Sequence, residues 1–196
     1  ELKSQEELIL NADEKSLDLE YELFLNLREE VSQYANSLQN LADKIAYIDV
    51  MQSLALVSLE NNYIKPEITL DRSLFISNAR HPTVEHFNKD PFIENDVSII
   101  DGGVLLITGP NMSGKSTYMR MVALIVIMAQ MGSFVPADVA KIPIYDAIFT
   151  RIGAQDDLTA GQSTFMVEML ETNEALRNAT SNSLLIFDEI GRGTAT

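Results

Sequence analysis

An apolar run, Val104-Leu105-Leu106-Ile107, leads into Gly109-Pro110-Asn111-Met112-Ser113-Gly114-Lys115-Ser116-Thr117. The second stretch has the spacing G-x-x-x-x-G-K-[ST], set where that spacing has meaning, between an expected buried strand and an expected helix. Gly109 and Gly114 permit a tight turn that aims several backbone N–H groups at one point. That point is also the mouth of a helix, whose dipole adds partial positive charge. There Lys115 can reach the outer phosphates of a nucleotide, and the Ser116 hydroxyl can bind Mg2+. The plainer alternative is a glycine turn that merely caps a helix. The fixed positions arise by accident in roughly one chain of this size in a hundred, so the pattern predicts a nucleotide-binding chain.

With 196 residues, 46% of them hydrophobic, the chain is long enough for one domain with an appendage and a real core. No run approaches the roughly 18 apolar residues of a membrane span. The best candidate, 119–131, contains Arg120 and Gln130 and is read as a buried helix. There is no signal-peptide pattern at the start. Cys is absent, which excludes disulfides and thiolate metal sites and permits a reducing compartment. Lys and Arg number 14 against 29 Asp and Glu, a net charge of −15. Phosphate contacts dominate nucleic-acid affinity, so this stretch is not expected to grip DNA or RNA strongly by itself.

Two parts are expected, 1–62 and 63–196. From about Ser4 to Asn61 there is neither Gly nor Pro. Val31, Tyr34, Leu38, Leu41, Ile45 and Ile48 fall on one helical stripe, with Glu29, Glu30, Asp43 and Lys44 turned away. One helix to about Tyr34, a break near Asn36-Ser37 and a second helix to about Glu60 follow, ended by Asn61-Asn62 and Pro66. Such a stripe serves ordinary helix packing, or else a lever or dimer contact. Beyond Tyr63, strands are expected at 74–77, 97–100, 104–108, 140–144, 147–152 and 184–187, with a tight turn at Asp101-Gly102. Helices are expected from Lys115 to Met131, stopped by Gly132, and from Thr164 to Asn178. The alternation predicts an α/β sandwich with a mainly parallel sheet.

Leu184 to Phe187 followed by Asp188-Glu189 is the natural companion of the phosphate loop. A strand buried on both faces reads as a continuous apolar run, and ligand sites open at the carboxyl ends of such strands. Asp188 can hold magnesium there, and Glu189 can orient and deprotonate an attacking water. On its own such a pair is often just a solvated strand end. Leu158 to Glu168 is a loop entering a helix. Ser163 there is either a simple N-cap or a group meeting the terminal phosphate of a nucleotide held by a second subunit.

Four segments in order, 109–120, Phe149-Thr150-Arg151-Ile152-Gly153-Ala154, Ser163-Thr164-Phe165-Met166-Val167-Glu168-Met169 and 188–196, resemble the ATPase signatures of the MutS family of DNA mismatch repair proteins. Arg80-His81-Pro82 and Asn61-Asn62-Tyr63 match that family too. The resemblance covers essentially the whole chain and leans toward the bacterial members. It implies an ABC-type P-loop NTPase domain preceded by the end of a helical lever and core segment. It further implies a Mg-dependent ATPase binding ATP and ADP, with Gly109, Pro110, Asn111, Met112, Ser113, Gly114, Lys115, Ser116 and Thr117 around the phosphates. Ser116 and Asp188 would hold the metal, Glu189 would activate water, and Ser163 would act across a homodimer on the partner's ATP. Phe92 and Ile93 match the segment that packs on adenine, although Phe92 also reads as a core aromatic. His81 and His86 read as structural.

The family resemblance also implies cytoplasmic, nucleoid-associated work on mismatched DNA through other domains, with a downstream factor of the MutL type. The mismatch-reading element, most of the clamp, the last ATPase strands and the C-terminal helices have no counterpart here. A fragment with weak turnover in isolation is therefore expected. The rival readings are a MutS paralogue acting in recombination, another ABC-type ATPase, and a helical scaffold that binds nucleotide without hydrolysing it. Against a transporter motor, Asp188-Glu189 is followed by Ile190-Gly191-Arg192-Gly193 rather than Pro.

Overall fold

A computed structural model of the protein describes residues 2–88, 90–152 and 164–191. The chain divides into two compact units, Glu1–Gln52 and Ser53–Thr196. The first is built from two helices, α1 (Leu2–Ser32) and the first part of α2 (Ala35–Glu60). The break falls at Gln33-Tyr34, slightly earlier than expected. There the Ser32 hydroxyl donates to the Glu29 carbonyl at 2.7 Å, competing with the helix for that acceptor. The expected stripe forms but is uncovered: Val31, Leu38, Leu41 and Ile45 are all 50–57% exposed.

In the second unit α2 ends as its sequence suggests. Asn62 takes the left-handed conformation (φ 53°), and the Tyr63 N–H reaches back to the Ser58 carbonyl at 2.9 Å. Asn substitutes for the usual glycine in this C-terminal motif because its short polar side chain tolerates positive φ. The main sheet holds four strands in the order β1-β4-β2-β3: β1 (Glu67–Thr69), β2 (Leu74–Ala79), β3 (Asn95–Ile99) and β4 (Val139–Pro143). β1 pairs with β4 in parallel, whereas β2 lies antiparallel to both β3 and β4. The period of two is plain in the burial. Leu74, Ile76, Val97, Ala140 and Ile142 point inward and are buried, while Phe75 and Val139 are exposed. Between Ile76 and Ala79 the β2–β3 register shifts. The Asp96 carboxylate caps this irregularity by accepting the Asn78 N–H at 2.9 Å.

Helix α4 (Lys115–Gln130) supplies Met121, Val122, Ala123, Ile125, Val126 and Ala129 to the same core cluster. Each fully buried aliphatic side chain here stabilises the fold by about 1.5–3 kcal/mol. Gly132 (φ 90°) follows the helix, and the Ser133 N–H returns to the Met128 carbonyl at 2.9 Å, the expected glycine stop. A second, two-stranded parallel sheet joins β5 (Ile148–Arg151) to β6 (Leu184–Phe187), with Arg151 opposite Phe187. Helix α5 (Thr164–Asn178) lies between them in sequence.

The architecture is thus mixed α/β. The larger sheet is mixed rather than mainly parallel, and among the described residues only the β5–β6 and β1–β4 pairs run parallel. A strand expected at 104–108 does not form. The turn that should launch it does: Asp101 and Gly102 both have positive φ (50° and 66°), and the Gly103 N–H meets the Ile100 carbonyl at 3.0 Å. Beyond that turn the backbone finds no ladder partner among the described residues, and Val104 and Leu106 stay exposed. An apolar cleft of about 400 Å3 separates this segment from β6, lined in part by Leu105, Ile107, Met119, Val122 and Leu185. A strand is a property of a pair, so an apolar run alone does not make one.

Candidate nucleotide site

The loop 109–114 enters α4 through Gly114, at φ 92°, with Met112 also left-handed at φ 64°. A side chain on Gly114 would be strained by that φ. At Gly109 the limit is space: an added Cβ would lie 3.0 Å from the Ser113 hydroxyl. The amides of Asn111, Met112, Gly114, Lys115, Ser116 and Thr117 carry no hydrogen bond to any described residue, whereas the Ser113 N–H makes a long 3.4 Å bond to the Pro110 carbonyl. A run of unpaired N–H groups at a helix start is a cradle for an anion.

Four side chains from two elements meet at this cradle. Lys115 Nζ donates to the carbonyls of Gly109 and Pro110, both at 3.0 Å, and lies 3.9 Å from a Glu189 carboxylate oxygen. The Ser116 hydroxyl donates to Asp188 Oδ2. Asp188 and Glu189 are carried there by β6, whose register is fixed because the Asp188 N–H donates to the Arg151 carbonyl at 2.8 Å. Glu189 is left-handed (φ 48°), a conformation that costs a non-glycine residue of order 1–3 kcal/mol. Lys115, Ser116 and Thr117 are half-buried, whereas Pro110, Asn111, Met112 and Ser113 are exposed. Among the described residues no three His, Cys, Asp or Glu cluster as a metal cage. A hydroxyl and one carboxylate beside a phosphate cradle suit Mg2+, which keeps most of its waters and takes few protein ligands.

The other expected site residues divide. Phe92 is half-buried against the core cluster and stands 6.5 Å from the His81 ring, while Ile93 is 83% exposed. Ser163 lies outside the described residues.

Sequence reasoning did not assign roles to three further side chains. Glu168 is buried on α5, and its carboxylate accepts the Gly191 N–H at 2.6 Å. Arg151, at the end of β5, pairs with Glu171 of α5 at 3.0 Å. Arg80 donates to the carbonyls of Asn61 and Asn62 at 3.2 and 3.1 Å and to Glu85 at 2.5 Å, so one guanidinium joins the two upstream motifs. The signal for Glu168 was its place in the 163–169 segment; nothing in the sequence names its partner.

His81 is structural in its contacts. It is only 6% exposed, and its Nδ1 accepts the Val84 N–H at 3.2 Å, capping the short helix α3 (Pro82–Phe87). Burial holds its pKa below the ordinary 6.5, and the nearby Arg120 charge pushes the same way. A folded pKa below the unfolded one means the unfolded chain binds protons first as pH falls. Stability from neutral His81 is therefore complete above about pH 6.5 and declines as pH drops below it. Thermal melting from pH 8 to 5 should show this decline, and His81→Asn should flatten it. An unchanged slope in the variant would count against the assignment.

Residues 105–196 match the family model described as MutS domain V. The whole chain aligns with proteins named DNA mismatch repair protein MutS. It is 58% identical over 198 residues to that of Geobacillus sp. (strain WCH70) and 57% identical over 198 residues to that of Halalkalibacterium halodurans. It is 58% identical over 199 residues to that of Lactobacillus gasseri. In each case all of this chain is covered, and it spans 23% of the relative's length. No helix among the described residues is long and apolar enough to cross a membrane. From its first residue to its last the chain is similar to one stretch of DNA mismatch repair protein MutS, and its residues 105–196 match domain V of that family.

Proposed function

We propose that the chain forms the ATP-binding and ATP-hydrolysing core of a DNA mismatch recognition protein. The observation that carries this reading is the meeting of Lys115, Ser116, Asp188 and Glu189 at a row of unpaired loop amides. In domain terms, 1–62 is the end of a lever and core segment and 63–196 is an ABC-type ATPase domain. The amides of 111–117 bind the phosphates of ATP. Lys115 exchanges its two carbonyl partners for phosphate oxygens, which need its charge more. Gly109 and Pro110 shape the loop, with Met112 and Ser113 at its tip and Thr117 beside the inner phosphates. Asn111 lies near the terminal phosphate.

Ser116 and Asp188 hold Mg2+, which neutralises charge on the phosphate oxygens when bound. Glu189 accepts a proton from the water it orients. Phe92 and Ile93 pack on adenine, and Ser163 serves the ATP of a partner subunit in a homodimer.

In the whole protein, nucleotide state then switches a DNA-bound dimer between searching for mismatches and sliding as a clamp that engages a MutL-type factor, inside the bacterial cytoplasm. Such a switch requires a ligand that binds two conformations unequally. Its test is the lifetime of the full-length protein on an open-ended mismatched duplex. ATP with Mg2+ should shorten it at least about tenfold relative to ADP, which corresponds to a coupling of about 1.4 kcal/mol. Equal lifetimes in both nucleotides would contradict the switch.

A further inference from the structure

We propose that Glu168 is a positioning residue for hydrolysis, its buried carboxylate holding the turn that presents Glu189 by accepting the Gly191 N–H. The inference rests on the reading of Asp188 and Glu189 as the hydrolytic pair. Glu168 is 6% exposed, and its Oε1 lies 2.6 Å from the Gly191 nitrogen. The turn it holds contains one unusual residue, Glu189 at φ 48°, followed by Gly191 at φ 86°, which glycine adopts freely. A non-glycine residue keeps a left-handed φ only where its surroundings impose it. The bond from the Gly191 N–H, two residues beyond Glu189, to the Glu168 carboxylate is one such constraint.

Glu168 does not act alone on this helix. Glu171 is one turn further along α5 and so lies on the same face. It pairs with Arg151 at 3.0 Å, and the Arg151 carbonyl accepts the Asp188 N–H at 2.8 Å. One face of α5 therefore grips the ends of both strands of the parallel pair, β5 through Arg151 and the turn after β6 through Gly191. The backbone of Glu168 is itself fixed, because its carbonyl accepts the Thr172 hydroxyl at 2.8 Å. The helix, and not only the strand, sets where the Glu189 carboxylate stands.

Glu168 touches no reacting atom, so its loss acts on rate through geometry. A shift of about 1 Å in a reacting group costs on the order of a hundredfold. The test uses the full-length protein with Glu168→Ala and Glu168→Gln. It reads phosphate release for kcat, a fluorescent ATP analogue for affinity, and thermal melting for folding. Glu168→Ala should lower kcat by on the order of ten- to a hundredfold while affinity stays within about threefold. Glu168→Gln keeps an oxygen that can accept from Gly191, so it should retain at least about a third of the wild-type kcat.

A Glu168→Ala variant that turns over within about twofold of wild type overturns the proposal while leaving the site reading intact. A parallel fall in affinity, turnover and melting temperature, with Gln no better than Ala, overturns it as well, because that is a packing role. A wild-type protein that neither binds nor hydrolyses ATP removes the site reading and this inference together.

Discussion

Lys115→Ala in the full-length protein should weaken the binding of Mg–ATP by at least about a hundredfold. On the proposed reading Lys115 is the cation inside the phosphate cradle, and its side chain is only 16% exposed. Truncating one member of a desolvated charged pair costs about 2–5 kcal/mol, since its partner is left uncompensated. In the structure the same ammonium bonds the Gly109 and Pro110 carbonyls, both at 3.0 Å. Its loss therefore also loosens the loop that must greet the phosphates. The exposed loop carbonyls can be rehydrated, so the melting temperature should move by only a few degrees. Equilibrium binding of a fluorescent ATP analogue, with melting as a control, checks this. Affinity within about threefold of wild type would contradict the role.

Glu189→Ala should have the opposite profile: nucleotide affinity within about threefold, and turnover reduced by about two to four orders of magnitude. A positioned general base contributes roughly 10²–10⁴ to rate and little to ground-state binding. Glu189 stands at the carboxyl end of β6, beside Lys115 at 3.9 Å. Removing it leaves the loop amides, Ser116 and Asp188, the groups proposed to hold the nucleotide, in place. Single-turnover hydrolysis with binding measured in parallel separates the two effects. Turnover retained within tenfold would reassign the base to another group. Together the two variants divide binding from chemistry at one site.

The glycine loop that enters α4 and the strand that carries Asp188-Glu189 were legible because each is local. Gly109, Gly114 and Lys115 specify a loop conformation within nine residues, and Leu184 to Phe187 specify a buried strand within four. Stops were equally local, as at Asn62 and Gly132, where positive φ selects the residue type. What was not legible depends on partners distant in sequence. The run 104–108 has the composition of a strand but no neighbouring backbone among the described residues to pair with. β1 is only three residues long and exists because Glu67 to Thr69 fall opposite Lys141 to Pro143.

The short helix α3 was missed for a similar reason. Its start depends on the His81 ring accepting the Val84 N–H, and its neighbourhood on Arg80 reaching Asn61 and Asn62. Helix α5 was expected over Thr164 to Asn178, but its bond to the turn after β6 was not. Glu168 and Gly191 are separated by most of α5 and all of β6, and only the fold brings them within hydrogen-bond reach. The exposed stripe of α1 and α2 shows the converse. Val31, Leu38 and Ile45 have the spacing of a packed helix face, yet periodicity does not say what covers it.

One titration bears most directly on the central claim that loop amides, Lys115, Ser116 and Asp188 form a nucleotide–magnesium pocket. Calorimetry of ATP into the full-length protein with Mg2+ should give saturable uptake that weakens strongly when Mg2+ is chelated, and again in Lys115→Ala. Absence of any uptake at millimolar ATP with Mg2+, in protein shown to be folded, would contradict it.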